Sequence, residues 1–161
     1  MGGTGLSRPF VLLLALPSLA GAAEVCPWLN AATAGGVLGG TVAATVTRSK
    51  TGDDASCEFI RHDGSLALEL RIEVETMRSP AKDFASYTAR CHSSAVPLKA
   101  IGNEALACSD DGSDDHAELV VGRVRDRAFL VRLGTNDHST QPSALREKAR
   151  RVAEQVAGIL F

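Results

Sequence analysis

Aromatic residues are scarce in this 161-residue chain: they make up 4%, with one tryptophan, Trp28, and one tyrosine, Tyr87. Proteins that hold single strands stack bases on aromatic rings along a basic groove, and the basic groove is missing too. The formal net charge is −2, and basic clusters such as Arg123-Val124-Arg125-Asp126-Arg127 are interrupted by acid. No nucleic-acid partner is therefore expected. Long apolar runs are also lacking. The run from Pro9 to Leu16 reaches about half of what a bilayer-spanning helix needs, so no membrane span is expected in the mature chain. Cysteines at the short spacing of zinc sites are absent. So are the signatures of catalysis: there is no Gly-x-Ser-x-Gly elbow, no His-Glu-x-x-His pair, and no lysine with serine or threonine after a glycine loop. His62, His92, His116 and His138 are scattered, none at helical spacing from a second ligand. These absences predict no catalytic residues and no cofactor, leaving an enzyme only as a site assembled by folding.

What the chain does carry begins with an address. Residues 1–23 hold one charge, Arg8, then an apolar stretch, then the small residues Ala20-Gly21-Ala22-Ala23, the order of a secretory signal peptide cut after Ala22 or Ala23. Losing Arg8 takes the formal charge from −2 to −3. A lipoprotein would need cysteine directly after Leu19-Ala20-Gly21, where this chain has Ala22, so no lipid anchor is expected. Residues 24–161 then form a single domain, exported to the periplasm or the extracellular space. All four cysteines, Cys26, Cys57, Cys91 and Cys108, lie in that part, and an even count in an oxidising compartment implies disulfides. Of the three possible pairings, Cys26 with Cys57 and Cys91 with Cys108 join neighbouring elements.

The element pattern starts with a helix from Pro27 to about Leu38, proline in its first turn and Gly39-Gly40 at its end, with Leu29, Ala32, Thr33, Gly36 and Val37 inward. A strand from Thr41 to Thr47 and another over Cys57–Arg61 follow, the second meeting a turn signalled by Asp63-Gly64. From Leu66 to Glu75 the alternation is strict: Leu66, Leu68, Leu70, Ile72 and Val74 face one way, and Ala67, Glu69, Arg71, Glu73 and Glu75 the other. One face is core and one is water, which requires an antiparallel sheet covered on one side. Ser79-Pro80 opens a middle helix with Phe84, Ala85, Thr88 and Cys91 inward. Residues 96–102 read as irregular, followed by strands over Asn103–Cys108, Ala117–Val124 and Arg127–Leu133. A long helix from Pro142 to Leu160 closes the chain. Leu145, Ala149, Val152, Val156, Ile159 and Leu160 form its apolar stripe, and Arg146, Glu147, Lys148, Arg150, Arg151 and Glu154 stay outside. The expected fold is α+β, one antiparallel sheet of about six strands with N-terminal, middle and C-terminal helices packed mostly on one face.

Cys26 through Gly39, Cys57-Glu58-Phe59, the segment Val96–Ala105 with its turn Gly102-Asn103-Glu104-Ala105, and the paired strands before a terminal helix resemble small exported actinobacterial proteins of the DUF3558 type. The resemblance implies a cell-envelope protein with no assigned activity, and it carries no catalytic residues with it. Many proteins of that type are lipoproteins; the missing lipobox cysteine departs from the pattern.

Three features invite chemistry. The cluster Gly35-Gly36-Val37-Leu38-Gly39-Gly40 is read as helix termination and close packing rather than a phosphate cradle, since no lysine follows it. Asp110, Asp111, Asp114 and Asp115, with His116 next to them, form a candidate calcium loop of oxygen ligands, without the spacing or distal glutamate of an EF-hand. Glu73 and Glu75 are read as a solvated row. The functional expectation is a non-catalytic domain that binds an as yet unknown protein or cell-envelope component through its sheet face. The alternative is a carrier with a small apolar ligand between sheet and helices, and the two differ in whether that space is open or filled.

Overall fold

Seven antiparallel strands form the middle of the protein in a computed structural model that describes Met1 and residues 25–50, 54–91, 95–110 and 116–161. In chain order the elements are α1 (Ala31–Leu38), β1 (Ala43–Arg48), β2 (Ala55–Asp63), β3 (Leu66–Thr76), α2 (Pro80–Thr88), β4 (Val96–Leu98), β5 (Glu104–Ser109), β6 (His116–Val124), β7 (Arg127–Thr135) and α3 (Pro142–Leu160). The sheet order is β1-β2-β3-β7-β6-β5-β4, two meanders whose last strands, β3 and β7, pair at the centre. The α+β architecture with one antiparallel sheet and three helices is as the alternation predicts. Residues 2–23, assigned above to the signal peptide, lie outside the described residues.

The strand count is corrected from about six to seven. β4 falls in the segment read as irregular because Pro97 conceals it: proline cannot donate to a ladder and belongs only on an edge. β4 is that edge, pairing with β5 alone. Gly102 then turns the chain at φ 61°, and a Cβ there would sit 2.3 Å from the Arg123 carbonyl oxygen, so only glycine fits.

The first helix is also corrected. It begins at Ala31, four residues later than the proline suggests, because Asn30 Oδ1 accepts from the Thr33 N–H at 2.8 Å and caps it. Its inward residues are consequently Ala34, Gly35 and Leu38, with Leu29 buried from the preceding coil, while Ala32 and Gly36 are exposed. Gly39, at φ 82°, ends it, its N–H bonding the Gly35 carbonyl at 2.7 Å.

Register assigns the faces. Leu70, Ile72 and Val74 of β3 stand opposite Leu133, Val131 and Phe129 of β7, and opposite Phe59, Cys57 and Ala55 of β2. These side chains are at most 6% exposed and pack with Leu38 of α1 and with Leu145, Ala149, Val152 and Val156 of α3. Fully burying one large apolar side chain stabilises by about 1.5–3 kcal/mol, so this layer dominates the fold. Ile159 departs from the expected stripe at 50% exposure, because the last turn of α3 faces a cleft beside Trp28 rather than the sheet. Arg146 departs too. It reaches back to Glu118 of β6, which is 2% exposed and also accepts from Ser109 Oγ at 2.9 Å.

α2 lies on the opposite face. Phe84 packs with Met77 and Ala128, and Ala128 is the cross-strand partner of Glu75, on the charged side of β3. Ala85, expected inward, is exposed. Two disulfides tie the elements: Cys26–Cys57 with sequence separation 31, and Cys91–Cys108 with separation 17. Such bonds fit an oxidising environment. Among the described residues no helix is long and apolar enough to cross a membrane.

Candidate functional site

Among the described residues, the side of the sheet away from α1 and α3 is only partly covered. Period-two alternation sends Glu69, Arg71, Glu73 and Glu75 of β3 to this side, and the antiparallel register places Gly134, Arg132, Leu130 and Ala128 of β7 beside them. β2 adds Glu58 opposite Arg71, and β6 adds Leu119 opposite Arg132. α2 and the Cys91–Cys108 bridge border the area, bringing Tyr87 and Arg90 to its rim. The result is a cleft of about 330 Å³ lined by Arg71, Glu73, Arg90, Asp110, Leu119, Leu130 and Arg132. Its floor is closed by a buried cluster of Cys108, Leu119, Val121 and Leu130, each at most 5% exposed, so the cleft presents mainly its charged groups.

Ion pairs hold the charged groups in place. Arg71 Nη2 donates to Glu58 Oε1 at 2.6 Å and lies 3.4 Å from Glu69; Arg90 Nη1 bonds Glu73 at 3.1 Å; Arg132 Nε bonds Asp110 at 2.8 Å. The hydrogen bond to Glu58, against some desolvation and with further help from the charges of Glu69, Glu58 and Glu73, raises Arg71 above the usual arginine value. It is a permanent cation. Partial exposure, 40% at the Arg71 side chain and 48% at Arg90, leaves both able to exchange an internal carboxylate for an external one.

Tyr87 donates to Glu75, and burial first, then this bond and the Glu75 charge, raise its phenol well above the usual tyrosine value. A raised folded-state value means that the native state keeps a proton the unfolded chain releases. The associated stability is complete below about pH 10 and is lost as pH rises past it. Because Tyr87 is the only tyrosine, phenolate absorbance reads it alone. In the native protein it should stay unionised where a urea-unfolded control titrates near about pH 10. Coincident titration curves would refute the shielding.

The other candidates sit elsewhere. Asp111, Asp114 and Asp115 of the proposed calcium loop lie outside the described residues, and Asp110 is engaged by Arg132. Among the described residues no three His, Cys, Asp or Glu side chains gather to hold a metal. His116 and His138 meet with ring nitrogens 2.9 Å apart, whereas His62 is exposed at the end of β2 and His92 lies outside the described residues. Gly39 and Gly40 follow α1 beneath the Arg61 side chain, whose Nη1 donates to the Leu38 carbonyl at 3.0 Å, and Gly35 lies against the Gly40 backbone. Glu73, read as a solvated row, is drawn into the cleft by Arg90, while Glu75 holds Tyr87. Arg90 and Arg132 escaped the sequence reading. The signal for Arg132 was its alternation against Val131 and Leu133; Arg90 carried none.

Comparison with protein-family models, with curated proteins and with solved structures found no match.

Proposed function

We propose that this is a non-catalytic exported domain, periplasmic or extracellular, that binds a protein or cell-envelope component through the open face of its sheet. The observation that carries the reading is the cleft over Leu119 and Leu130, rimmed by Arg71, Arg90 and Arg132. A cluster of guanidiniums and carboxylates gathered over packed leucines fits a largely polar recognition surface, where arginine contributes strongly to affinity. The same residues offer no nucleophile–base pair, which favours binding over catalysis. The two disulfides support export. Kinship with DUF3558-type envelope proteins, proposed on the residues named above, is compatible with this role. The carrier alternative gains less support, because side chains at 0–2% exposure, among them Phe129, Val131, Leu145 and Val156, fill the space between sheet and α3.

The test is affinity capture from envelope extract with the oxidised protein, comparing wild type with Arg71→Ala/Arg90→Ala and with Lys148→Glu/Arg151→Glu on the outer side of α3. Both variants should melt within about 1 kcal/mol of wild type, since exposed ion pairs contribute little. The partner should be lost, by about tenfold or more, only from the first. Loss from the second alone would move the binding surface to α3, and a small apolar molecule recovered equally from all three would establish the carrier.

A further inference from the structure

At one end of the sheet His116 and His138 face each other. Nε2 of the first lies 2.9 Å from Nδ1 of the second, and the rings meet edge to face with centroids 4.8 Å apart. Both residues are exposed. They come from different segments: His116 opens β6 and stands opposite Thr135, the last residue of β7, while His138 lies in the turn that leads to α3.

Hydrogen bonds fix that turn. Thr135 Oγ1 donates to the Ala67 carbonyl at 3.0 Å and accepts from the Asp137 N–H at 3.1 Å. The Asn136 side chain accepts from the Ala67 N–H at 2.8 Å and donates to the Ser65 carbonyl at 3.0 Å. The Asp137 carboxylate accepts from the N–H and hydroxyl of Ser139 and from the Thr140 hydroxyl. One imidazole is thus carried on a laced turn and the other on a strand of the sheet, so little freedom is lost when both engage one ligand.

The separation of the two nitrogens selects the ligand. With metal–nitrogen bonds of about 2.0–2.1 Å, two ligands at a right angle stand about 2.8–3.0 Å apart, whereas tetrahedral ligands stand about 3.3–3.4 Å apart. Right-angled nitrogen ligation belongs to Cu(II) and Ni(II), and copper heads the affinity order of the first-row divalent ions. Among the described residues the partner of each ring is the other ring, so a metal ion displaces this one hydrogen bond and breaks no ion pair. The ring that donates in that bond moves its proton to its far nitrogen, and no net proton is gained or lost. Neighbouring carboxylates are committed elsewhere, Asp137 within its turn and Glu118, two residues along β6, to Arg146.

We propose that His116 and His138 form a binding site for a divalent copper ion, held by the two facing nitrogens at adjacent corners with water in the remaining positions. The ion replaces the hydrogen bond as the link between β6 and the turn before α3. The site is independent of the open-face cleft, whose β6 residue, Leu119, is in the opposite phase of the strand.

The experiment titrates the oxidised protein with the chlorides of copper(II), nickel(II), zinc(II) and calcium by calorimetry, with copper electron paramagnetic resonance and melting temperature as further readouts. Copper should bind as one tightly held ion per chain, show hyperfine coupling to two nitrogens, and raise the melting temperature. Nickel and zinc should bind at least about tenfold more weakly, and calcium should give no heat. His116→Ala and His138→Ala, both at exposed positions, should each weaken copper about a hundredfold, because the second ligand on the same molecule is lost. The double variant should be little worse than either, and His62→Ala should bind as the wild type does. Copper affinity that survives either single substitution, coupling to one nitrogen only, zinc held as tightly as copper, or no tight copper ion at all would each overturn the proposal.

Discussion

Replacing Cys26 and Cys57 together with alanine is expected to lower stability by about 3–4 kcal/mol, read as a fall in the urea midpoint. The bond closes a loop with sequence separation 31, and in the chain-entropy account its main effect is to deny the unfolded chain the conformations that loop forbids. The native state contributes as well. Cys57 is fully buried in the middle of β2, opposite Ile72, and Cys26 is 7% exposed, so the bridge is a piece of core that holds Trp28 and Leu29 against the sheet. Because the unlinked chain unfolds to a more expanded ensemble, the urea dependence should steepen along with the shift. The bridge between Cys91 and Cys108 closes a shorter loop and should contribute about 3 kcal/mol. An unchanged midpoint in the first variant would show that the coil before α1 is held by packing alone.

The second large effect is expected at Arg146. Its Nε donates to Glu118 Oε2 at 2.7 Å and its Nη2 to Oε1 at 3.2 Å, a two-pronged pairing that closes the end of the interface between α3 and β6. Glu118 is 2% exposed. Arg146→Ala leaves that carboxylate buried with Ser109 as its remaining side-chain partner, and breaking one side of a buried pair costs about 3–5 kcal/mol; the 40% exposure of the arginine places the expected loss near the lower figure. Replacing both partners, as Glu118→Leu/Arg146→Met, removes the charge together with its counter-ion and should restore most of the stability. Arg150→Ala, one turn further on, breaks exposed pairs with Glu147 and Glu154 and should cost under about 1 kcal/mol. Equal losses at Arg146 and Arg150 would mean that Glu118 stays hydrated.

Glu118 also marks a limit of reading the chain as text. In the strand alternation it is in phase with Val120 and Val124, so the pattern places it on the core face, yet nothing local names Arg146, 28 residues on, as the group that makes burial tolerable. The open-face cleft divides the same way. Glu69, Arg71 and Glu73 were visible as the polar phase of β3. Their neighbours Leu130 and Arg132 join them only because β7 pairs with β3, and Arg90 joins because α2 packs on that side.

By itself the sequence determined what short-range signals encode: the two-faced strand β3, a turn signalled by Asp63-Gly64 whose loop falls at Gly64-Ser65 between Asp63 and Leu66, and the long helix α3 from about Pro142 to Leu160. A repeat of two or of 3.6 dictates which side chains share a face, because backbone geometry alone sets it. Only the tertiary structure decided which neighbour each face meets: the central pairing of β3 with β7, α2 on the face opposite α1 and α3, β4 as a proline-bearing edge, and the shifted inner face of α1. Those choices depend on contacts between residues far apart in the chain. Their free energies come from joint burial and register, quantities that no window of sequence contains.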